Sequence, residues 1–190
     1  MQKLTDSLDI LSDNSLMLKV KGGDLDKMAL LFERYHRPLY GFLFHMTRQR
    51  ESSEDMVQTV FFRMLKYRHA FTGSGEFKTW MYHLARNVLA DHGRMGKRTK
   101  AHFPVTEDDE QVTDGSRADE PMLKKQELKA LEQAMQCLSV ENRELLILSR
   151  FQELRYSEIA RIMETTEGAI KVRVHRALQQ LKLNYQRLGD

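Results

Sequence analysis

Near the end of the chain, Lys171, Val172, His175 and Arg176 fall on the outward side of a helical wheel, away from an apolar stripe of Ile170, Val174, Ala177, Leu178 and Leu181. Such a face suits a DNA major groove: cations and an imidazole reach phosphates or base edges, and an aliphatic group can meet a thymine methyl. Thr166 and the helix start at Glu167 can approach a phosphate. Between Glu167 and Arg187, five basic residues (Lys171, Arg173, Arg176, Lys182, Arg187) stand against one acid, a local charge of +4. The plain alternative is a solvated helix with a basic end. A short capped helix and a tight turn just before it favour DNA.

A second stretch repeats the pattern. From Thr79 to Lys100, Arg86, Arg94, Lys97, Arg98 and Lys100 oppose only Asp91, again +4. His83, Arg86, Asn87 and Arg94 lie opposite an apolar stripe of Met81, Leu84, Ala85, Val88 and Leu89. Beside them come Tyr67, Phe71, Phe77, Trp80 and Tyr82. Basic helices interleaved with aromatic rings suit unpaired bases, which stack on the rings while the backbone meets the cations. Core packing accounts equally well for Phe71, Phe77 and Trp80 taken singly. Upstream, Phe62 sits with Asp55, Thr59, Arg63 and Lys66 on an otherwise polar helix face, as a ring awaiting a protein partner would.

Catalytic and metal chemistry lack their residues. GSGEFKT has Phe77 where a phosphate loop needs glycine before Lys-Thr, and no strand leads into it. The seven histidines show no HExxH spacing. Cys137, the lone cysteine, excludes an internal disulfide or a cysteine-rich zinc site, and is expected to be a small buried hydrophobe in a reducing compartment. The run Asp108-Asp109-Glu110 reads as solvated tether. The expectation is a protein that is no enzyme and needs no cofactor or metal.

The elements that must carry these faces are helices, and no alternating strand pattern occurs. Val57, Val60, Phe61, Met64 and Leu65 follow the spacing of one buried helical face, with Ser52 and Ser53 expected as caps. A further helix is expected over about Lys78–Arg94, and another over Met28–Thr47, kinked or divided by Pro38. Later, Met122–Leu138 is amphipathic, Ser139 can cap Val140–Phe151, Ser157 can cap SEIARIM, and Glu164-Thr165-Thr166 turn into the last helix. Residues 99–121 hold seven acids against two bases, −5, which leaves +8 on the other 167 residues. That acidic, turn-rich stretch is expected to be a flexible linker between two basic modules, 14–98 and 122–186. The apolar runs are too short to span a membrane and MQKLTDSLDILSDNS is not a signal peptide, so a cytoplasmic, all-α, two-domain protein is expected.

SEDMVQTVFFRMLK (53–66), FKTWMYHLARNVLADHGR (77–94) and YSEIARIMETTEGAIKVRVHRAL (156–178), in this order around an acidic linker, resemble a bacterial RNA polymerase sigma factor of the extracytoplasmic-function (ECF) class of the sigma-70 family. The resemblance covers nearly the whole chain after the first dozen residues. It implies a sigma region 2 bundle and a sigma region 4 helix-turn-helix. It also implies binding to core RNA polymerase, through its beta-prime clamp and beta flap, and to promoter DNA. The clamp surface would map onto Asp55, Gln58, Thr59, Phe62 and Arg63. The minus-ten reader, which melts and captures non-template bases, would map onto the loop around Phe71–Phe77 and the helix with Lys78, Trp80, Arg86, Asn87, Asp91 and Arg94. The minus-thirty-five reader would use Thr166, Glu167, Lys171, Val172, Arg173, His175 and Arg176. An anti-sigma partner is also implied. This sequence departs from the family at Thr59, where an acid is usual, at Ser139, where proline is common, and at Ala169 and Val172, where Thr and Ser are frequent. Those departures bear on sequence preference.

Two other readings compete. A sigma-mimicking protein that sequesters an anti-sigma factor would be expected to lose the basic and aromatic faces, which this chain keeps. A stand-alone helix-turn-helix regulator would leave Phe62 and the Thr79–Lys100 face without a role.

Overall fold

The computed structural model describes residues 11–99 and 122–189. Two compact units divide the chain, Met1–His102 and Phe103–Asp190. All regular structure among the described residues is helical. The expected acidic linker, apart from Thr99, lies outside the described residues.

The first unit contains α1 (Asp13–Lys21), α2 (Lys27–Thr47), α3 (Arg50–Lys66), a 3₁₀ turn (Arg68–Ala70) and α4 (Phe77–Thr99). The sequence reading assigned no helix to α1, whose apolar content is slight: Leu16, Met17 and Val20 carry its buried side. Ser12 caps it, accepting a bond from the Ser15 N–H at 3.2 Å. Asp13 then ties it to α2 through Arg34 at 2.8 Å and through the Tyr35 hydroxyl. Burial, then the bond to Asp13, pushes the Tyr35 phenol far above its ordinary value, so it keeps the donating proton.

Pro38 does not divide α2. The missing N–H costs one helical bond, an interior penalty of about 3 kcal/mol. Leu31, Tyr35, Leu39 and Phe42 nevertheless continue one buried stripe past it, and full burial of each large apolar side chain stabilises by about 1.5–3 kcal/mol. Packing outweighs the local defect. Nor do Ser52 and Ser53 cap α3, which starts earlier. Ser53 is fully buried and its hydroxyl donates to the Gln49 carbonyl at 2.6 Å, while Ser52 donates to the Gln49 side chain. Of the expected face, Val57, Val60, Phe61 and Met64 are buried, against α2 and α4, while Leu65 is only half-buried.

The second unit contains α5 (Met122–Gln136), α6 (Val140–Leu146), a wider π-type turn (Ile147–Phe151), α7 (Tyr156–Ile162) and α8 (Glu167–Gly189). Ser139 caps α6 as expected, accepting from the Asn142 N–H at 3.3 Å. Ser157 does not cap α7. Arg155 holds that position, and the Glu158 carboxylate turns back to accept its N–H at 2.7 Å. Cys137 is exposed rather than buried, because Met135 and Leu138 on either side take the core positions at the end of α5. Ile170, Val174 and Ala177 bury the inner side of α8, and Asn184 donates to the Ala134 carbonyl at 3.2 Å, fastening α8 to α5. Leu178 and Leu181 are only half-buried and line an open groove with Leu128, Leu131 and Tyr185.

Candidate nucleic-acid interface

On α3, the apolar stripe turns the other side of the helix outward. Phe62 is 63% exposed there, the most exposed phenylalanine among the described residues, with Asp55 and Gln58 exposed beside it. Thr59 donates its hydroxyl to the Asp55 carbonyl at 2.9 Å, so its side chain serves its own helix. Arg63 leaves the group. Its guanidinium reaches across to α4 and donates to Asp91 at 2.8 Å. Two residues mapped to different partners are thus joined to each other. The Arg63 hydrogen bond holds the Asp91 carboxyl below the usual carboxylate range, with the charges of Arg63 and Arg94 acting the same way.

The loop between the 3₁₀ turn and α4 rests on aromatic rings. Phe71 and Phe77 are 3% and 1% exposed, with Phe77 against Tyr35 at 5.2 Å and Phe71 against Trp80 at 5.2 Å between ring centres. Neither phenylalanine has a free face on which a base can stack. They floor the loop, and Tyr82 is likewise buried against Phe42. Trp80 is half-buried and Tyr67 is exposed, so these two rings of the five have surface to offer. Along α4, Lys78 and Arg86 are half-buried, while Asn87 and Arg94 are exposed on the outward side. Thr72, Ser74, Gly75 and Glu76 form the exposed rim of the loop, and the Thr72 and Ser74 hydroxyls share a bond of 2.7 Å.

Sequence reasoning missed the side chains that hold this loop. Asn14 donates to the Gly75 carbonyl at 2.8 Å and accepts the Phe77 N–H at 2.7 Å, and Lys21 donates to the Phe71 carbonyl at 2.7 Å. Both come from α1, 50 to 63 positions away in the chain, and no local pattern signals them.

On α8, Lys171, Val172, His175 and Arg176 are all exposed on the side away from Ile170 and Val174, as the wheel predicts. Lys171 pairs with Glu167 at 3.3 Å, and His175 bonds to Gln179 at 3.0 Å. Exposed pairs of this kind contribute about 0–1 kcal/mol, so an incoming phosphate can displace them. Arg173 turns inward toward α6, pairing with Glu141 at 3.3 Å. Thr166 caps α8 by accepting the Ala169 N–H at 3.2 Å, which commits its oxygen and leaves its hydroxyl hydrogen for a phosphate. Among the described residues, no group of three or more His, Cys, Asp or Glu is placed to hold a metal ion, and no helix is long and apolar enough to cross a membrane.

Comparison with known proteins agrees with this layout. Residues 31–99 match the Sigma-70 region 2 family and residues 128–181 match the Sigma-70 region 4 family. The chain is 30% identical over 159 residues to the ECF RNA polymerase sigma factor SigM of Bacillus subtilis, covering 83% of this chain and 94% of that one. It is 29% identical over 168 residues to SigX of the same organism, covering 87% of each. Among solved structures, CnrH in complex with the cytosolic domain of CnrY shares the fold at a TM-score of 0.69 with 18% identity, over 90% of this chain and 95% of that one. The sigma factor RpoE of Bartonella quintana, in complex with the anti-sigma factor NepR, does so at 0.63 with 23% identity, over 86% and 97%. With both sigma regions present and a relative of this identity along most of its length, the chain belongs to the ECF RNA polymerase sigma factors of the sigma-70 family.

Proposed function

We propose that this sigma factor docks on core polymerase through the outward side of α3 and reads two promoter elements with its two units. Asp55, Gln58 and Phe62 meet the beta-prime clamp. The rim of the 72–76 loop, with Trp80, Asn87 and Arg94, captures unpaired bases of the minus-ten element. Lys171, Val172, His175 and Arg176 enter the major groove at the minus-thirty-five element. A beta-flap contact falls to the second unit, where the groove between α5 and α8 is an open apolar surface. The observation that carries the reading is Phe62: a ring 63% exposed on a folded bundle has no structural reason to face water, and an interface supplies one. An anti-sigma partner is proposed as well, because one of the structural relatives, RpoE, is a sigma factor in complex with the anti-sigma factor NepR.

The test is reconstitution with bacterial core polymerase and a promoter library. Wild-type protein is expected to support transcription from a subset of promoters. Phe62→Asp is expected to weaken core binding by about 2 kcal/mol or more, some thirtyfold, while circular dichroism stays unchanged. Transcription from no promoter, or a Phe62→Asp protein that binds core normally, would overturn the assignment.

A further inference from the structure

We infer that α1 sets the shape of the promoter-reading loop, with Asn14 and Lys21 as positioning residues for base selection. The inference rests on the assignment of that loop to the minus-ten element. Residues 14, 18 and 21 are spaced i, i+4, i+7, one face of a helix, while Leu16, Met17 and Val20 occupy the buried side. That face lies along the loop. Its two polar ends, about 10 Å apart by helical rise, take hold of the loop's two ends: Lys21 at the Phe71 carbonyl, and Asn14 at the Gly75 carbonyl and the Phe77 N–H. Between them Leu18 covers Gly73, where an added Cβ would meet the Leu18 Cδ atoms at 3.2 and 3.3 Å. Gly73 also has φ +76°, a conformation that disfavours any side chain.

The Asn14 amide has two jobs. Its oxygen satisfies the first N–H of α4, a donor that every helix leaves open and that a preceding loop residue commonly serves. Its nitrogen fixes a loop carbonyl that otherwise turns to water. Six residues with two glycines would sample many conformations if tied only at their ends, and a pocket for an unstacked base needs one. Asp13 makes the brace rigid, because its bonds to Arg34 and Tyr35 lock the start of α1 to α2. Asn14 and Lys21 therefore choose which bases fit without touching them.

Full-length variants, bound to core polymerase, are to be compared on non-template oligonucleotides carrying matched or singly substituted minus-ten bases. Asn14→Asp keeps the acceptor for Phe77 and loses the donor to Gly75. Lys21→Met keeps the stem and loses the donor to Phe71. Each is expected to reduce the matched-to-mismatched ratio by about tenfold, with core affinity, upstream-duplex binding and melting temperature within the wild-type range. Lys21→Arg is expected to restore the ratio. A merely structural role would lower stability and all binding together and leave the ratio alone. Thr72→Ala with Ser74→Ala, on the rim itself, tells the two failures apart. If this pair alters the ratio while Asn14→Asp and Lys21→Met do not, the positioning role is overturned and the loop assignment survives. If neither the pair nor Asn14→Asp and Lys21→Met alters the ratio, both are overturned.

Discussion

Arg63 and Asp91 face each other across α3 and α4, and their bond changes what each can offer a partner. A bare carboxylate beside Asn87 and Arg94 would repel the DNA backbone. Bound to Arg63, with Arg94 3.9 Å away, its charge is met from two sides. The pair is also a titratable brace. Because the folded protein holds the Asp91 carboxyl below its ordinary value, the bond favours the folded state at pH above the ordinary carboxylate range. That contribution is lost as pH falls through the depressed value. Arg63→Ala is expected to move the Asp91 titration, followed by carbon NMR of its side chain, upward toward the ordinary carboxylate range. A midpoint that stays where it was would mean that the pair does not form in solution. Arg63 therefore joins α3 to α4, a link visible only once the two helices are packed together.

At the level of elements, α8 divides its cations by direction. Lys171 and Arg176 are exposed, while Arg173 is half-buried and reaches Glu141 on α6. Removing a phosphate contact weakens binding on every sequence alike and lowers the salt slope by about one unit, whereas removing a base contact costs about 1–3 kcal/mol at one base pair. Lys171→Ala is expected to show the first pattern. Arg176→Ala or His175→Ala is expected to show the second, confined to the upstream element. Arg173→Ala should leave base preference alone and act, if at all, through the α6–α8 contact. Salt-dependent binding to matched and mismatched duplexes separates these outcomes, and equal losses for all three groups on all sequences would reduce α8 to a backbone grip. The helix itself was legible in the sequence, since a wheel needs only the 3.6-residue period to put Ile170 and Val174 inside and Lys171 and His175 outside. The inward turn of Arg173 was not, since its partner lies 32 residues away on another helix.

For the whole molecule, the two units each enclose their own apolar core, built on Phe42, Leu43, Met64 and Met81 in one and on Leu145, Leu146, Ile147 and Ile170 in the other. Each is expected to fold as a separate fragment, 1–102 and 103–190, with cooperative melting and the helical dichroism of its share of the chain. The first fragment should retain core-polymerase binding that depends on Phe62. The second should retain upstream-duplex binding that depends on Arg176. A fragment that melts without cooperativity would show that its core is completed by the other unit.

Helical periodicity, charge and the three sigma-like stretches fixed the class, the two sigma regions and the outward faces of α3 and α8, because those properties depend on residues within a turn or two of each other. Local preference failed where packing or a distant partner had the larger energy. Pro38 stays within one helix because the stripe around it is buried. Aromatic composition cannot distinguish a stacking platform from a floor, so the burial of Phe71 and Phe77 and the partial exposure of Trp80 came only with the tertiary structure. So did the brace on the loop: Asn14 meets Phe77 across 63 residues, and the bond exists only because α1 and the start of α4 are folded against the same bundle.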